Sequence, residues 1–357
     1  MRQSLDEYYA VTSLEDYQQV YRAIGYFIHK YGRIDWLESN NEYWLERDAR
    51  LRTDFHITSG FQTSDIPRIK YKSKMKEYYA QAGIKTARYI LVENKAQVQQ
   101  FLAEVHYPVV VKPDNGVGAC KTYKLNNDGD LDQFFQELAD THDTTTYIME
   151  EFVKGEVNSY DAIINSQGEP IFETGNVTPM SIMDIVNQHD NSVFYILKDL
   201  PEDTRKAGRA TVKAFGVKNR FVHLEFFRLT DDMPHLGHKG EIIGLEVNMR
   251  PSGGVTPDMI NFAHSTDVYK IWADMIAYDS TMKSTGPDYF CIFSGRRQGK
   301  NFRLSHNDLL AKYSDAIRMH AAIPEALSEA MANYMYLATF AERKDLDQFF
   351  ADSVATY

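Results

Sequence analysis

Two neighbouring segments with a two-residue alternation of side chains place the strongest limit on how this chain folds. FVHLEFFRL and EIIGLEVNM are separated by the polar loop TDDMPHLGHKG, an arrangement that predicts a long antiparallel hairpin. In the first segment one face carries Val222, Leu224 and Phe226, and the other face carries His223, Glu225 and Phe227. In the second segment one face carries Ile243, Leu245 and Val247, and the other face carries Gly244, Glu246 and Asn248. Each segment therefore adds one glutamate to a largely apolar hairpin.

The two glutamates meet if Glu225 pairs with Glu246, a register that also places His223 opposite Asn248. Two carboxylates about 5 Å apart repel by roughly 3 kcal/mol at an effective dielectric constant near 20. A cation between them would remove this cost. The oxygen ligands of Glu225, Glu246 and Asn248 suit a hard ion such as Mg²⁺, with Mn²⁺ as an alternative. For Glu225 alone, an ordinary solvent-exposed acid is the simpler interpretation.

The residues after the second segment favour the metal interpretation. Arg250 follows closely, and Pro257 opens a predicted helix. A cation, an arginine fork and a helix N-terminus together form a place for anionic oxygens. Three nearby histidines are more typical of surface or hydrogen-bonded side chains than of metal ligands: His223, His235 and His238.

A second informative stretch is HYPVVVKPDNGVGACKTYKL, residues 106–125. Its run of valines predicts a buried strand that ends at Lys112 and leads into a loop with Gly116 and Gly118. A P-loop would place its lysine after the last glycine, and a dinucleotide fingerprint would need glycine in place of Lys121. Two interpretations stay open: a flexible loop that lays backbone N–H groups against phosphate oxygens, and a plain hairpin turn.

The composition limits the class of protein. A chain of 357 residues with 43% apolar content has room for two or three globular domains. Cys120 and Cys291 lie far apart, which argues against a disulfide framework or a zinc site and makes the cytoplasm the expected compartment. The net charge of −11 disfavours nucleic acid as a partner, and no apolar run approaches the roughly 18 residues of a membrane span. A homodimer stays open.

Four segments, in order between about Lys70 and Asp279, resemble those of the ATP-grasp superfamily, and in particular its carboxylate-amine ligase branch. KYKSKMKEYYAQAGIKTARY is similar to the first lysine segment, and YPVVVKPDNGVGA resembles the second-lysine strand with its glycine loop. YIMEEFVKGEVNSYDAII is similar to the hinge, and FVHLEFF with LEVNMRPSGG resembles the metal hairpin. Taken together, the four segments make the resemblance to this family specific.

The resemblance implies an α/β fold of the α+β ATP-grasp type. Residues 1–71 would form a short N-terminal α/β domain, and residues 72–278 the ATP-grasp domain with a mobile lid at about 108–165. Residues 279–357 would form a small C-terminal α+β region. The N-terminal domain lacks a recognisable glycine-ended strand and helix at its start, so an incomplete beginning stays open.

The resemblance also implies roles for individual residues. Those placed at ATP are Lys72 and Lys112 on the phosphates, Gly116 and Gly118 in the covering loop, and Glu150, Glu151 and Val153 around the adenine. Those placed at Mg²⁺ are Glu225, Glu246 and Asn248. Arg250 and Lys112 would be catalytic, because both face the transferred phosphoryl group. For Lys72 the alternative is a solvated basic face, since it belongs to RIKYKSKMK.

One departure from the family concerns the ribose. Many relatives carry an acid where this chain has Val157, so its neighbour Glu156 is the remaining candidate. A second departure is the hairpin loop, which is longer than usual and leaves the register open.

The activity that the resemblance implies is ATP-dependent ligation of a small-molecule carboxylate and an amine. The carboxylate attacks the γ-phosphoryl group of ATP, and the amine displaces phosphate from the resulting acyl phosphate. Two alternatives stay open: a phosphotransferase on the same scaffold, and a non-catalytic nucleotide-binding module of a biosynthetic assembly. Arg296 and Arg297 are either ligands of a substrate carboxylate or exposed surface arginines.

Overall fold

The computed structural model describes residues 4–116, 121–179, 191–282 and 284–357. The chain divides into two compact units, Met1–Pro67 and Arg68–Tyr357. Helices and antiparallel sheets are mixed along the chain, as the predicted fold class requires. None of the helices in the described ranges is long and apolar enough to cross a membrane.

The first unit consists of helices and connecting turns. Its helices are α1 (Tyr17–Tyr31), α2 (Leu45–Asp54) and α3 (Ile66–Lys70), which crosses the boundary. The sequence predicts a short strand around Ile34 to Leu37, but the described part of this unit contains no strand. Arg52 of α2 holds the segment instead, because its guanidinium donates to the carbonyls of Leu37 and Phe61, at 2.7 Å each.

The first strands of the second unit, after α4 (Lys72–Gln81), form a small antiparallel sheet. Its strands run in the order β1, β4, β2, β3, with β1 (Tyr89–Leu91), β2 (Val109–Pro113), β3 (Tyr123–Leu125) and β4 (Tyr147–Glu151). Helices α5 (Lys95–Val105) and α6 (Asp128–Thr141) cover one face, where they bury Val109, Val111 and Met149. Strand alternation places Lys112 and Glu150 on the opposite face.

A nine-stranded sheet forms the rest of the second unit. Its order is β10, β9, β5, β7, β8, β11, β13, β12, and β6 pairs with β5. The strands are β5 (Gly155–Ile164), β6 (Pro170–Thr174), β7 (Asn176–Thr178), β8 (Val193–Ile196), β9 (Arg220–Leu229), β10 (Ile242–Asn248), β11 (Phe290–Arg296), β12 (Ile317–Ala322) and β13 (Tyr334–Phe340). The helices are α7 (Glu202–Ala214), α8 (Thr256–His264), α9 (Val268–Tyr278), α10 (His306–Lys312), α11 (Glu325–Met331) and α12 (Arg343–Val354).

The sheets differ from the predicted layout in two places. The sequence predicts a lid over residues 108–165, but the small sheet begins at Tyr89, and β5 belongs to the large sheet. The sequence also predicts one strand in the C-terminal tail, whereas β11, β12 and β13 all join the large sheet. β12 is an edge strand with alternating half-buried and exposed side chains, so its sequence IRMHAA carries little apolar signal.

Helix α7 defines which face of the large sheet is covered. Gly208 of α7 packs directly on the ring of Tyr160 in β5, and a Cβ atom there would overlap the ring. Because side chains alternate along a strand, Ser159 and Asp161 point away from α7. Their partners in β9 are Glu225 and His223. The face away from α7 therefore carries a set of polar side chains.

Candidate active site

Glu225 and Glu246 lie directly opposite each other on β9 and β10, and Asn248 lies opposite His223. The predicted register is thus confirmed at this end of the hairpin. At the other end it is off by one residue, because a bulge between Gly244 and Glu246 leaves Leu245 without a partner.

The bulge also corrects the predicted faces. Ile243 pairs with Phe227 and packs with it, so it shares the face of the acids. Gly244 pairs with Phe226 and faces away, where a Cβ atom would lie 2.7 Å from the ring of Tyr79.

The two acids have separate basic neighbours. Lys72 Nζ lies 3.4 Å from Glu246 Oε1, and His223 Nε2 lies 3.5 Å from Glu225 Oε1. Burial alone would raise the pKa of Glu225, but the hydrogen bond and charge of His223, with the smaller effects of the charges on Arg250 and Lys112, hold it below its ordinary value. Glu225 is therefore ionised at neutral pH, as a metal ligand must be.

The donor set fits a hard divalent ion. Two carboxylates and the side-chain amide of Asn248, whose Nδ2 lies 3.5 Å from Glu225 Oε2, supply oxygen ligands. Within the described residues, no group of three or more His, Cys, Asp and Glu side chains forms a metal cage. A set of this size suits Mg²⁺, which keeps water or phosphate oxygens in the rest of its shell.

Lys112 and Lys76 share one buried carboxylate. Glu150 Oε2 lies 2.7 Å from Lys112 Nζ, and Glu150 Oε1 lies 2.5 Å from Lys76 Nζ. Burial opposes the charge on Glu150, but the two lysines outweigh it and lower its pKa to about 2. Burial likewise opposes the charge on Lys112, yet Glu150, Glu246 and Glu225 raise its pKa. Lys76 differs, since burial is the dominant influence and its pKa is lowered.

Lys72 connects the acids to the glycine loop. Its Nζ donates to the carbonyl of Gly116, at 2.9 Å. The start of α4 is fixed nearby, because Ser73 N–H and Oγ donate to Asp114 at 2.7 and 2.8 Å. The predicted loop residue Gly118 lies outside the described residues. Lys72 is only 4% exposed, so the alternative of a solvated basic face is wrong at this position.

The predicted hinge residues Glu151 and Val153 make different kinds of contact. The carboxylate of Glu151 accepts from Arg88 N, Nε and Nη2 at 2.7–2.9 Å, and its own N–H donates to Arg88 O at 3.0 Å. Val153 is buried beside Ala87 and Ile243. These contacts place Glu151 and Val153 at the junction of the two sheets.

Glu156 is not brought to the acids. Its partner in β9 is Arg228, and Arg228 donates to Asp203 of α7 at 2.7 Å. Glu156 therefore lies on the face that α7 covers, opposite to Glu225. Adjacent residues of a strand point to opposite faces, so Glu156 does not share a face with the acids, and its contact with the ribose stays a prediction.

Arg250 follows β10 and lies beside Asn248. Its Nη2 donates to Asn248 Oδ1 at 3.2 Å, and its Nη1 donates to Pro251 O at 2.9 Å.

The side chains of Arg296 and Arg297 are hydrogen-bonded to the backbone. Arg296 donates to the carbonyl of Ser353 at 2.6 Å, and Arg297 donates to the carbonyl of Ser328 at 3.0 Å. Arg296 is buried, so the interpretation as an exposed surface arginine is wrong for this residue.

Three residues of the site were not predicted. Lys76 lies one helical turn after Lys72, and this spacing could have indicated that both point the same way. Asp161 and Ser159 alternate along β5, and only the pairing with β9 shows that they face His223 and Glu225.

Comparisons with known proteins identify an ATP-grasp domain in this chain. Residues 105–258 match the family model described as the ATP-grasp domain. The L-arginine-specific L-amino acid ligase of Bacillus subtilis is 22% identical over 292 residues, which cover 79% of this chain and 67% of that protein.

Solved structures share the fold. An L-amino acid ligase from Bacillus licheniformis is 14% identical with a TM-score of 0.69, covering 97% of this chain and 86% of its own. An N5-carboxyaminoimidazole synthetase from Staphylococcus aureus complexed with ADP is 14% identical with a TM-score of 0.66, covering 92% of this chain and 82% of its own. The chain has the ATP-grasp fold. The predicted resemblance to the ATP-grasp superfamily and its carboxylate-amine ligase branch is confirmed.

Proposed function

We propose that the protein is an ATP-dependent ligase that joins a small carboxylate to an amine through an acyl phosphate, with release of ADP and phosphate. The observation that carries this proposal is the position of Glu225 opposite Glu246, with Lys72 in contact with Glu246 and with Gly116 at the start of the glycine loop. This arrangement brings two candidate metal ligands, a basic side chain and flexible backbone into one place.

Each group has a distinct task in the proposed reaction. Glu225, Glu246 and Asn248 would hold Mg²⁺, which when bound neutralises charge on the phosphate oxygens. Lys72 and Lys112 bind phosphate oxygens. Arg250 lies next to Asn248 and stabilises the negative charge that develops on the phosphoryl group during transfer.

Lys76 supports the exchange of partners that nucleotide binding requires. Lys112 pairs with Glu150 in the structure, so phosphate must compete with that carboxylate for Lys112. Because Lys76 also contacts Glu150, the carboxylate keeps one buried partner when Lys112 turns to the phosphate. An uncompensated buried charge is thereby avoided.

The relatives narrow the choice of first substrate. Two similar proteins carry the name L-amino acid ligase, and both join substrates that contain a carboxylate and an amine. L-Amino acids are therefore the first pool to test as carboxylate and as amine.

The experiment incubates the protein with ATP, Mg²⁺, hydroxylamine and pools of L-amino acids or other carboxylic acids. An acyl phosphate is captured as a hydroxamate, and ADP appears in equal amount. The variant Glu246→Gln should lose this activity, whereas Glu241→Gln, at an exposed position before the same strand, should retain it. ADP formation without hydroxamate would favour a phosphotransferase, and no ADP above background in any pool would contradict the ligase.

A further inference from the structure

A chain of hydrogen-bonding groups runs from β7 through β5 to the candidate metal ligands. Asn176 N–H donates to Ser159 Oγ at 2.9 Å, and Ser159 Oγ donates to Asp161 Oδ2. Asp161 Oδ1 lies 2.8 Å from His223 Nδ1. Asp161 has no exposed surface, so its carboxylate is fixed on both oxygens by partners that are themselves part of the sheet.

His223 passes this restraint to Glu225. With Nδ1 bonded to Asp161, the ring points Nε2 toward Glu225 Oε1, at 3.5 Å. The other oxygen, Glu225 Oε2, lies 3.5 Å from Asn248 Nδ2. The carboxylate of Glu225 thus has one neighbour on each oxygen, and these two contacts fix its orientation.

We infer that His223, held by Asp161, is a positioning residue that orients the carboxylate of Glu225 toward a divalent ion. The inference rests on the proposed function. Outer groups that orient metal ligands change metal affinity or activity by about 10- to 100-fold when they are removed. A histidine that served only to stabilise the sheet would leave metal affinity unchanged.

The chain offers a matched control. His264 is also a histidine with both ring nitrogens engaged, but its partners are Thr174 Oγ1 and Asp288 Oδ1, at 2.7 Å each. The substitutions His223→Gln and His264→Gln therefore remove the same kind of bonded ring at two places, and only the first ring contacts Glu225.

The primary experiment titrates Mn²⁺ into protein saturated with ADP and measures free Mn²⁺ by electron paramagnetic resonance. The dissociation constant for Mn²⁺ should rise about tenfold or more in His223→Gln and stay within about twofold in His264→Gln. ADP affinity measured in EDTA should be the same in all three proteins. An unchanged Mn²⁺ constant in His223→Gln overturns the inference.

Steady-state kinetics give a second readout. The Mg²⁺ concentration for half-maximal rate should rise in His223→Gln, while kcat should recover at saturating Mg²⁺, because the ligands themselves are intact. A fall in kcat that excess Mg²⁺ does not restore, with an unchanged Mg²⁺ requirement, contradicts a positioning role.

Two further measurements protect the test against loss of folding. Asp161→Asn keeps the ring of His223 and should weaken Mn²⁺ binding in the same direction, and an unchanged constant counts against the inference. In the parent protein, Mn²⁺ with ADP should broaden the imidazole resonances of His223 before those of His264, and a sharp His223 signal overturns the inference without any variant.

The proposed function and this inference fail in different ways. If the parent protein with ADP binds no Mn²⁺, the proposed metal site is wrong and the inference falls with it. If the parent binds Mn²⁺ and forms hydroxamate while His223→Gln binds Mn²⁺ equally well, only the inference is overturned.

Discussion

Glu246 shares a face with Glu225 because one residue between the two ends of the hairpin, Leu245, has no partner. Ile243 pairs with Phe227 before the bulge, and Glu246 pairs with Glu225 after it. Without the bulge, the register before it would continue and place Glu246 opposite Leu224, on the other face. The bulge is therefore what assembles the pair of acids.

Deletion of Leu245 should keep the acids together, because Glu246 would then follow Gly244 and pair with Glu225 in an unbroken ladder. Deletion of Val247, after the bulge, should instead move Asn248 to the opposite face and weaken Mn²⁺ binding in the presence of ADP about tenfold or more. Titration by electron paramagnetic resonance measures both constants. Weak Mn²⁺ binding by a folded Leu245 deletion variant would contradict this register.

The sequence indicated that the two acids can meet, but not the bulge. The alternation of FVHLEFFRL and LEVNM places both acids on one face if Glu225 pairs with Glu246, and the long hairpin loop left that register open until the structure showed it. Gly244 was the available signal, because an isolated glycine in a strand often marks a bulge. Its physical reason, the ring of Tyr79 against its backbone, requires the packed structure.

The basic residues were harder to assign from sequence. In RIKYKSKMK, lysines at Lys72, Lys74 and Lys76 look equivalent, yet the first and last are buried and the middle one is exposed. Their difference arises from partners far along the chain, Glu246 and Glu150. A charged residue in a sequence is expected to be exposed to solvent, and only tertiary contacts can keep it buried.

Lys76 and Lys74 provide a direct test of that difference. Lys76→Met should lower the free energy of unfolding by roughly 1.5–3 kcal/mol, the usual value of a hydrogen bond to a charged group, because Glu150 keeps Lys112 as a partner. Lys74→Met should leave stability nearly unchanged, because Lys74 and its partner Glu77 are more than half exposed. Urea denaturation of the two variants and the parent makes the comparison. Equal stability of the two variants would contradict a buried role for Lys76.

The depressed pKa of Glu150 predicts how its contribution to stability depends on pH. The ordinary value is 4.5 and the folded value is about 2, so the pairing stabilises the protein above pH 4.5. That contribution is lost as the pH falls from 4.5 toward 2. The difference in unfolding free energy between the parent and Glu150→Gln should therefore shrink across this window in urea denaturation. A difference that stays constant from pH 5 to pH 2 would show that Glu150 is not held ionised by its lysines.

Arg250 should act on the transferred phosphoryl group more than on nucleotide binding. Arg250→Met is expected to lower kcat by about 10²-fold or more, as the loss of one preorganised donor does. The KM for ATP should change little. Arg228→Met is the contrast, because Arg228 bonds Asp203 on the opposite face of the hairpin and should keep kcat near the parent value. Steady-state kinetics distinguish these outcomes, and an equal loss of kcat in both variants would remove Arg250 from the proposed chemistry.

The proposed acyl phosphate is tested most directly by following oxygen. The carboxylate substrate found by hydroxamate capture is labelled with ¹⁸O in both carboxyl oxygens and converted with ATP, Mg²⁺ and the amine. The released phosphate should carry one ¹⁸O atom, with ADP as the other product, because the carboxylate oxygen that attacks the γ-phosphoryl group leaves with it. Phosphate without ¹⁸O, in a reaction that still forms the amide, would contradict the acyl phosphate.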